Sequence, residues 1–400
     1  MSELCLKGRR LLCGLVVVLS LFHQQISAQV NEDVSFSLLT VAPGDQAYNI
    51  FGHTALRMNP DPAGRDVVFN YGTFDPTMDF FIPKFLRGKL PYRLSLNSYA
   101  NFLKNNYAEG RAVWEQELNL DPAAKIKLIA FLENNSLPEN REYLYDFFWD
   151  NCSTRIRDIF ENELPGFQYA GLDKREVTFR QMLDEYLDGL DWTDLGIDLI
   201  IGSTADVKAD HRAQMFLPDY LHDITFKMNY DKDGVSVPLA KTSEKVLALD
   251  RKVHQSFLIT PMYCFIIFLL LELILFISAP AQHWRFVRIY DSLWYAAISV
   301  ISIVVLFMWF GTDHQACAEN YNLLWANPLY LIVFISGVRK KISIKALALC
   351  TIFMIFNLLL WAVLPQQFHL AVIPIILIFI LKNIRRIRNG KLARGRETVT

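Results

Sequence analysis

The sequence is short of several things. Its 400 residues hold only six cysteines at irregular spacing, which excludes a disulfide framework and a structural zinc signature. It has almost no net charge: 40 basic residues against 41 acidic ones leave -1, so no global attraction to nucleic acid can be argued. Of its eight histidines, His211, His222 and His254 form no ligand spacing with nearby carboxylates, and neither a metal nor any other cofactor is expected. Disorder is excluded by an abundance, 29 Phe, 16 Tyr and 8 Trp.

What is present fits no single material. A chain 52% hydrophobic with mean hydropathy +0.20 is too apolar for an ordinary soluble enzyme, yet at 20% charged it cannot be all membrane spans. Order along the chain resolves this. Lys7, Arg9 and Arg10 precede the apolar run 11–22, and Ile26, Ser27 and Ala28 place small residues before Gln29, so 1–28 reads as a signal peptide. Residues 29–258 read as an outer globular domain, long enough to bury its own core. Residues 259–382 read as a transmembrane domain, with apolar runs at 259–279, 293–310, 323–338, 342–364 and 368–381 giving five spans. A basic tail, 383–400, follows. Arg285, Arg288, Arg339, Lys340, Lys341, Lys345 and this tail fall on one side, while loops 311–321 and 365–367 hold no Lys or Arg. That positive-inside pattern gives a multi-pass membrane protein with the outer domain outside the cytoplasm and the C-terminus cytoplasmic.

In the outer domain, FSLLTVAP, FGHTALRM and DVVFNYGTF read as strands, the last two joined by the turn NPDPAGR. DPAAKIKLIAFLENN reads as a helix with an Asp cap and a leading proline, and NCSTRIRDIFENELPG as a helix starting at Cys152. Cys152 is the single cysteine between 29 and 258, so it has no disulfide partner within the domain, Cys317 in an outer loop being its one rival. A lone strand histidine or buried cysteine is ordinarily a core residue. At a helix start, however, a thiolate is stabilised by the helix dipole, and unpaired N–H groups can hold an oxyanion. The imidazole it needs is His53. Pairing the two strands about their turn brings Asn70 or Tyr71 opposite His53. Asn70 is favoured as the orienting group because an amide accepts from the ring N–H, with Tyr71, Asn151 and Ser153 as substrate or oxyanion contacts. Phe81 and Phe85 beside Arg87 suit a segment dipping among lipid headgroups. His314, in the loop after the second span, and Glu272, costly inside the first span and without a visible partner, are further lipid-facing candidates.

His53 on a strand before Cys152 at a helix start reverses the papain order and resembles the circularly permuted papain-like branch that includes NlpC-type hydrolases and lecithin:retinol acyltransferase. More closely, FGHTALR, FNYGTFD, FIPKFLRGKLPY and WDNCSTRIRD, with TDH and NLLWANPL in the membrane part, resemble the Lnb family of lipoprotein N-acyltransferases of Bacteroides-type bacteria. The resemblance covers nearly the whole mature chain. It implies an α+β permuted papain-like (NlpC-type) extracytoplasmic domain followed by an all-α transmembrane bundle of about five helices. It also implies an enzyme that moves an acyl chain from a phospholipid donor to the α-amine of diacylglyceryl-cysteine on a lipoprotein acceptor, through a thioester, with Cys152 as nucleophile and His53 as base. Asn70 stays a geometric inference. A membrane-anchored cysteine amidase or peptidase acting on peptidoglycan or protein, and a non-enzymatic binding module, are the competing expectations.

Overall fold

The computed structural model describes residues 34–46, 48–172, 176–249, 259–278, 285–339 and 343–397. The expected signal peptide, Lys340 and Lys341 lie outside the described residues. Contacts divide the chain into two units. The first takes its described residues from Met1–Met78, Pro91–Arg175 and Asp210–Arg251, the second from Asp79–Leu90, Glu176–Ala209 and Lys252–Thr400. Two segments within 29–258 thus group with the C-terminal helices.

In the first unit, FSLLTV is apolar at four of six positions and buried at all six, the pattern of a strand covered on both faces. It forms β1 (Ser35–Val41) inside an antiparallel seven-stranded sheet with β2 (His53–Asn59), β3 (Val67–Thr73), β4 (Pro91–Ser98), β5 (Val113–Leu118), β6 (Glu142–Leu144) and β12 (Ala240–Leu247). The order is β12-β5-β1-β2-β3-β4-β6. Leu38, Leu56 and Phe69 pack one face against Leu128 and Leu132 of the helix Pro122–Asn135 and against Ile156 and Phe160 of the helix Cys152–Glu163. Leu39, Val41, Ala55, Val68 and Val113 pack with Phe102 of the helix Tyr99–Ala108 in a second cluster. Each such side chain contributes about 1.5–3 kcal/mol on burial, so helices on both faces hold the central strands rigid. β7 (Gln168–Tyr169), β10 (Met228–Lys232) and β11 (Val235–Pro238) make a smaller sheet.

The second unit joins the short helix Phe81–Leu86, the helices Phe179–Leu187 and Asp191–Ile200, and the strand pair β8 (Val177–Thr178) and β9 (Lys208–Ala209) to the C-terminal helices. The NLLWANPL segment explains part of this grouping. Asn322 Nδ2 donates to the Asp198 carbonyl (2.9 Å) and Asn320 Nδ2 to the Ile200 carbonyl (2.9 Å), satisfying carbonyls at the end of the helix Asp191–Ile200. In the TDH segment, Asp313 N–H donates to the Arg87 carbonyl (3.0 Å) and His314 Nε2–H to the Phe85 carbonyl (3.1 Å). The imidazole of His314 is therefore engaged in holding the segment that carries Phe81, Phe85 and Arg87. On that segment Phe80, Ile82, Phe85 and Leu86 are exposed.

Among the described residues, one helical stretch, Phe286–Phe310, is long and apolar enough alone to cross a bilayer. Pro261–Ile277 and Ile344–Leu359 are shorter apolar helices, and the run expected as the third span, 323–338, is broken, with Gln315–Leu324 and Leu329–Val338 bent by 56°. Pro328 begins the second piece because it has no amide to continue a helix through it. The last helix, Val372–Glu397, runs well beyond the expected end of the fifth run, so most of the basic tail is helical. Pro374 lies in its first turn, where the missing N–H costs nothing.

That helix also corrects the reading of Glu272. Far from facing lipid, Glu272 is wholly buried and accepts hydrogen bonds from Lys382 Nζ (2.8 Å) and from Arg385 Nε and Nη2 (3.0 and 2.9 Å). Asp291 accepts from Lys382 (2.8 Å), Arg385 (2.7 Å) and Arg386. The carboxylates come from the helices Pro261–Ile277 and Arg285–Phe310 and the cations from the last helix. Buried charge in an apolar bundle is tolerable only when paired and hydrogen-bonded, and here the pairing ties three helices together.

Candidate active site

The Cys152 helix starts where it does because Asn151 caps it. Asn151 Oδ1 accepts from the amides of Ser153 and Thr154 (2.9 Å each), and the Asn151 amide donates back to Thr154 Oγ1 (2.7 Å). Asn151 Nδ2 donates to the carbonyls of Phe147 (2.9 Å) and Phe216 (2.8 Å). Its polar atoms are thus fully used, and two amides expected to be free for an oxyanion are occupied. Asn151 is a cap, not a substrate contact. Ser153 is also buried, and its hydroxyl pairs with Thr54 Oγ1 (2.9 Å). Because Ser153 follows Cys152 and Thr54 follows His53, this one bond pins nucleophile and imidazole in register.

Cys152 and His53 are hydrogen-bonded to each other. His53 Nε2–H donates to Asn70 Oδ1 at 2.6 Å, which leaves Nδ1 for the thiol. The structure therefore brings Cys152, His53 and Asn70 into one hydrogen-bonded chain. Burial alone would push the thiol up, but the charge and hydrogen bond of His53, with the Thr54 amide and the Ser153 hydroxyl, bring Cys152 below its ordinary value of 9.0. Burial opposes the imidazolium as well, and the Arg111 charge adds to that, yet the charge and hydrogen bond of Cys152 with the Asn70 bond together outweigh them and hold His53 above 6.5. The two shifts favour a thiolate–imidazolium pair.

Two glycines shape the surroundings. Gly52, at φ 80°, has the Val41 carbonyl 2.8 Å from where a Cβ would stand, so no side chain fits just before His53. Gly72, at φ 82°, would put a Cβ 3.7 Å from Cys152 Cβ and 3.9 Å from both Tyr143 Oη and Tyr145 Cε2. Tyr71 is not part of this group: its hydroxyl donates to Asn135 Oδ1 (2.6 Å), and it lines a cavity of about 350 Å³ with Asn135, Trp149 and Arg155 that includes neither His53 nor Cys152. Sequence reasoning missed the tyrosine that does approach. The Tyr143 hydroxyl is buried with no hydrogen-bond acceptor, and its ring lies under the Arg155 guanidinium (3.6 Å) of the Cys152 helix. Burial, then the nearby Cys152 charge, keep the Tyr143 and Tyr145 phenols protonated. Half-buried aromatics continue outward, with Tyr145 stacked on Tyr92 (4.5 Å) and Tyr92 edge-on to Phe74 (5.4 Å).

The family model of the Lnb N-terminal periplasmic domain matches residues 23–185, and that of the Lnb transmembrane domain matches residues 252–391. The chain belongs to the Lnb family. It is a membrane protein with an Lnb periplasmic domain of mixed α/β structure, carrying a sheet, and a helical Lnb transmembrane domain. No curated protein and no solved structure matches it. The Lnb periplasmic match encloses His53, Asn70, Tyr143 and Cys152. It also encloses Arg111, a buried guanidinium in electrostatic reach of Cys152, which the sequence gave no reason to select. A three-carboxylate grouping lies elsewhere, in the second unit: Asp184, Asp194 and Asp198 place oxygens within 4.8 Å of one another. Arg180 donates to both Asp198 and Asp206 there.

Proposed function

We propose that this Lnb-family protein is a lipoprotein N-acyltransferase that takes an acyl chain from a phospholipid and places it on the α-amine of diacylglyceryl-cysteine. The observation that carries this reading is the Cys152–His53–Asn70 hydrogen-bonded chain at a helix start, polarised toward thiolate and imidazolium. The order of its members supports a permuted papain-like domain. Five C-terminal segments, Pro261–Ile277, Arg285–Phe310, the bent Gln315–Val338 stretch, Ile344–Leu359 and Val372–Glu397, cross the cytoplasmic membrane in this reading and leave the C-terminus inside. The exposed aromatics and cations of the segment around Phe85 and Arg87 meet lipid headgroups.

The chemistry balances in two halves. Cys152 Sγ attacks an ester carbonyl of the donor, the oxyanion is met by the Cys152 amide and the Tyr143 hydroxyl, and His53 gives its Nδ1 proton to the departing glycerol oxygen. A thioester remains on Cys152. The lipoprotein amine attacks that thioester, His53 takes the amine proton, and the thiolate leaves. The aromatic fringe of Tyr145, Tyr92 and Phe74 keeps water away from the thioester, favouring aminolysis over hydrolysis.

The test is mass spectrometry of lipoprotein N-termini in a strain that depends on this protein. Cys152→Ala should abolish N-acylation, leaving diacylated lipoproteins. Unchanged N-acylation refutes the proposal, and cleavage of a peptidoglycan stem peptide by the wild type but not by Cys152→Ala would establish the amidase reading in its place.

A further inference from the structure

We infer that Arg111 forms an anion subsite beside the dyad that takes the phosphodiester of a glycerophospholipid, an inference that rests on the acyltransferase reading above. The strand register places it. β1 pairs with β2 on one side and β5 on the other, so Val41 stands opposite both His53 and Val113. Ala42, the next residue, donates its N–H to the Ala112 carbonyl (2.9 Å) and accepts Arg111 Nε (2.8 Å) on its own carbonyl. The guanidinium is therefore folded over the end of the row that begins with His53.

Two arms of that guanidinium are spoken for and one is not. Nη1 donates to Glu109 Oε2 (3.1 Å), whose carboxylate also accepts from Asn49 Nδ2 (3.2 Å). Nη2 is buried with no hydrogen-bond partner, on a residue only 6% exposed. A buried donor left unmade is costly, more so on a charged group, and a guanidinium serving only to clamp Ala42 and Glu109 has no need of a third arm kept dry. The charge of Arg111 reaches both Cys152 and His53. It also reaches Tyr48, a well-exposed residue.

The chemistry of the vacant donor selects the ligand class. A planar fork with a free N–H pair suits a phosphate oxygen. In a glycerophospholipid the phosphodiester lies only a few bonds from each ester carbonyl, so the anion can sit at Arg111 while an ester faces Cys152. A neutral diacylglycerol offers the same esters and nothing for Nη2.

The test measures binding without turnover, so it stands apart from the transferase reading. The full-length protein in detergent micelles is alkylated at Cys152 with iodoacetamide, read by peptide mass spectrometry, in the presence of dialkyl-ether phosphatidylglycerol or of the matching dialkylglycerol. Neither has an ester to cleave. The phosphodiester analogue should protect Cys152 at a concentration roughly 10- to 100-fold lower than the neutral one. In Arg111→Gln the two should protect at similar concentrations, and Arg111→Lys should keep an intermediate preference. Equal protection by the two analogues in the wild type overturns the inference without needing a folded variant. Preference retained in Arg111→Gln overturns it too, and protection by inorganic phosphate at the same concentration as the lipid overturns the assignment to a lipid headgroup.

Discussion

Replacing Asn70 with Ala removes one side chain from the dyad without touching the thiol or the imidazole. What is lost is the 2.6 Å bond from His53 Nε2–H to Asn70 Oδ1. A hydrogen bond to a charged group contributes about 1.5–3 kcal/mol. At about 1.36 kcal/mol per factor of ten, the imidazolium-dependent step slows by between about 10-fold and 150-fold. His53 is half-buried rather than sealed, so the effect belongs in the lower part of that range. The assay is single-turnover acylation of Cys152 from a phospholipid donor, followed by intact-protein mass spectrometry.

The same variant makes a pH prediction with a definite sign. Burial pushes the Cys152 thiol up, and it stands below 9.0 because the charge and hydrogen bond of His53, with the Thr54 amide and Ser153 hydroxyl, together outweigh that effect. His53 stands above 6.5 in part because Asn70 bonds to it. Without Asn70 the imidazolium is less stable, its proton is lost at lower pH, and the thiolate loses its counter-charge over part of the range. The midpoint of iodoacetamide alkylation at Cys152 should therefore lie below 9.0 in the wild type, rise in Asn70→Ala, and rise further in His53→Ala, where only the Thr54 amide and the Ser153 hydroxyl still oppose burial. An Asn70→Ala midpoint equal to the wild-type one, together with acylation within about threefold, would refute the claim that Asn70 orients a working pair.

Three other perturbations separate further parts of the argument. Ser153→Ala or Thr54→Val alone leaves a buried hydroxyl unpaired and should cost about 1–3 kcal/mol; the double variant should regain most of that stability in thermal melts while acylating Cys152 more slowly, and a fully active double variant shows that the pair sets no register. Glu272→Ala strands Lys382 and Arg385 on a single carboxylate and should cost about 3–5 kcal/mol in detergent unfolding, so a loss below about 1 kcal/mol rules out the cluster as a helix clamp. Burial, then Asp198 and Asp194, push Asp184 up to about 7 despite Arg180, with Asp206 adding to the push. The folded state thus keeps a proton that the unfolded chain releases near 3.8, and the stability this gives is lost as pH rises toward and through 7. Asp184→Asn should therefore raise the melting temperature more at pH 8 than at pH 5, an equal or reversed effect counting against a crowded carboxylate.

His53, Asn70 and Cys152 were legible in the sequence because short-range rules place them: a cap residue starts the Cys152 helix, and a turn-linked strand pair brings Asn70 near His53, although the register from Leu56↔Phe69 sets Asn70 toward Ala55 rather than directly opposite His53. The same helix-start rule misled at Asn151 and Ser153. It counts amide donors as free, whereas the capping box consumes them before any substrate arrives. Tyr143 and Arg111 were illegible because their positions depend on which strands become neighbours. Arg111 meets the dyad through the β5–β1–β2 order, and Tyr143 through β6 pairing on β4, neither of which leaves a local signature. The seven-stranded sheet carries more than the first three strand-like runs announce for the same reason. Glu272 was recognised as anomalous, but its partners lie more than a hundred positions away, in a stretch whose positive charge resembles an ordinary cytoplasmic flank.

The two buried charge groups show what distinguishes a clamp from a reactive site. Around Glu272 and Asp291 each carboxylate accepts from several cations, and Asn383, next to Lys382 in the chain, separately accepts from Tyr295 Oη (3.1 Å) and donates to Tyr330 Oη (2.8 Å). The charged groups of this cluster are thus matched to one another, and removing any of them leaves charge unpaired. Around Cys152 the polar groups that fix geometry are likewise saturated: Asn151 by four bonds, and Ser153 with Thr54. Beside these, however, the Tyr143 hydroxyl, which accepts from the Gly72 amide but donates to nothing, and Arg111 Nη2 each keep a buried donor unused. Unmade buried hydrogen bonds are rare because they are destabilising, and two of them next to one activated thiol make sense if something else completes them. A tetrahedral oxyanion at Tyr143 and a phosphodiester at Arg111 are the two anions that acyl transfer from a phospholipid brings to this place.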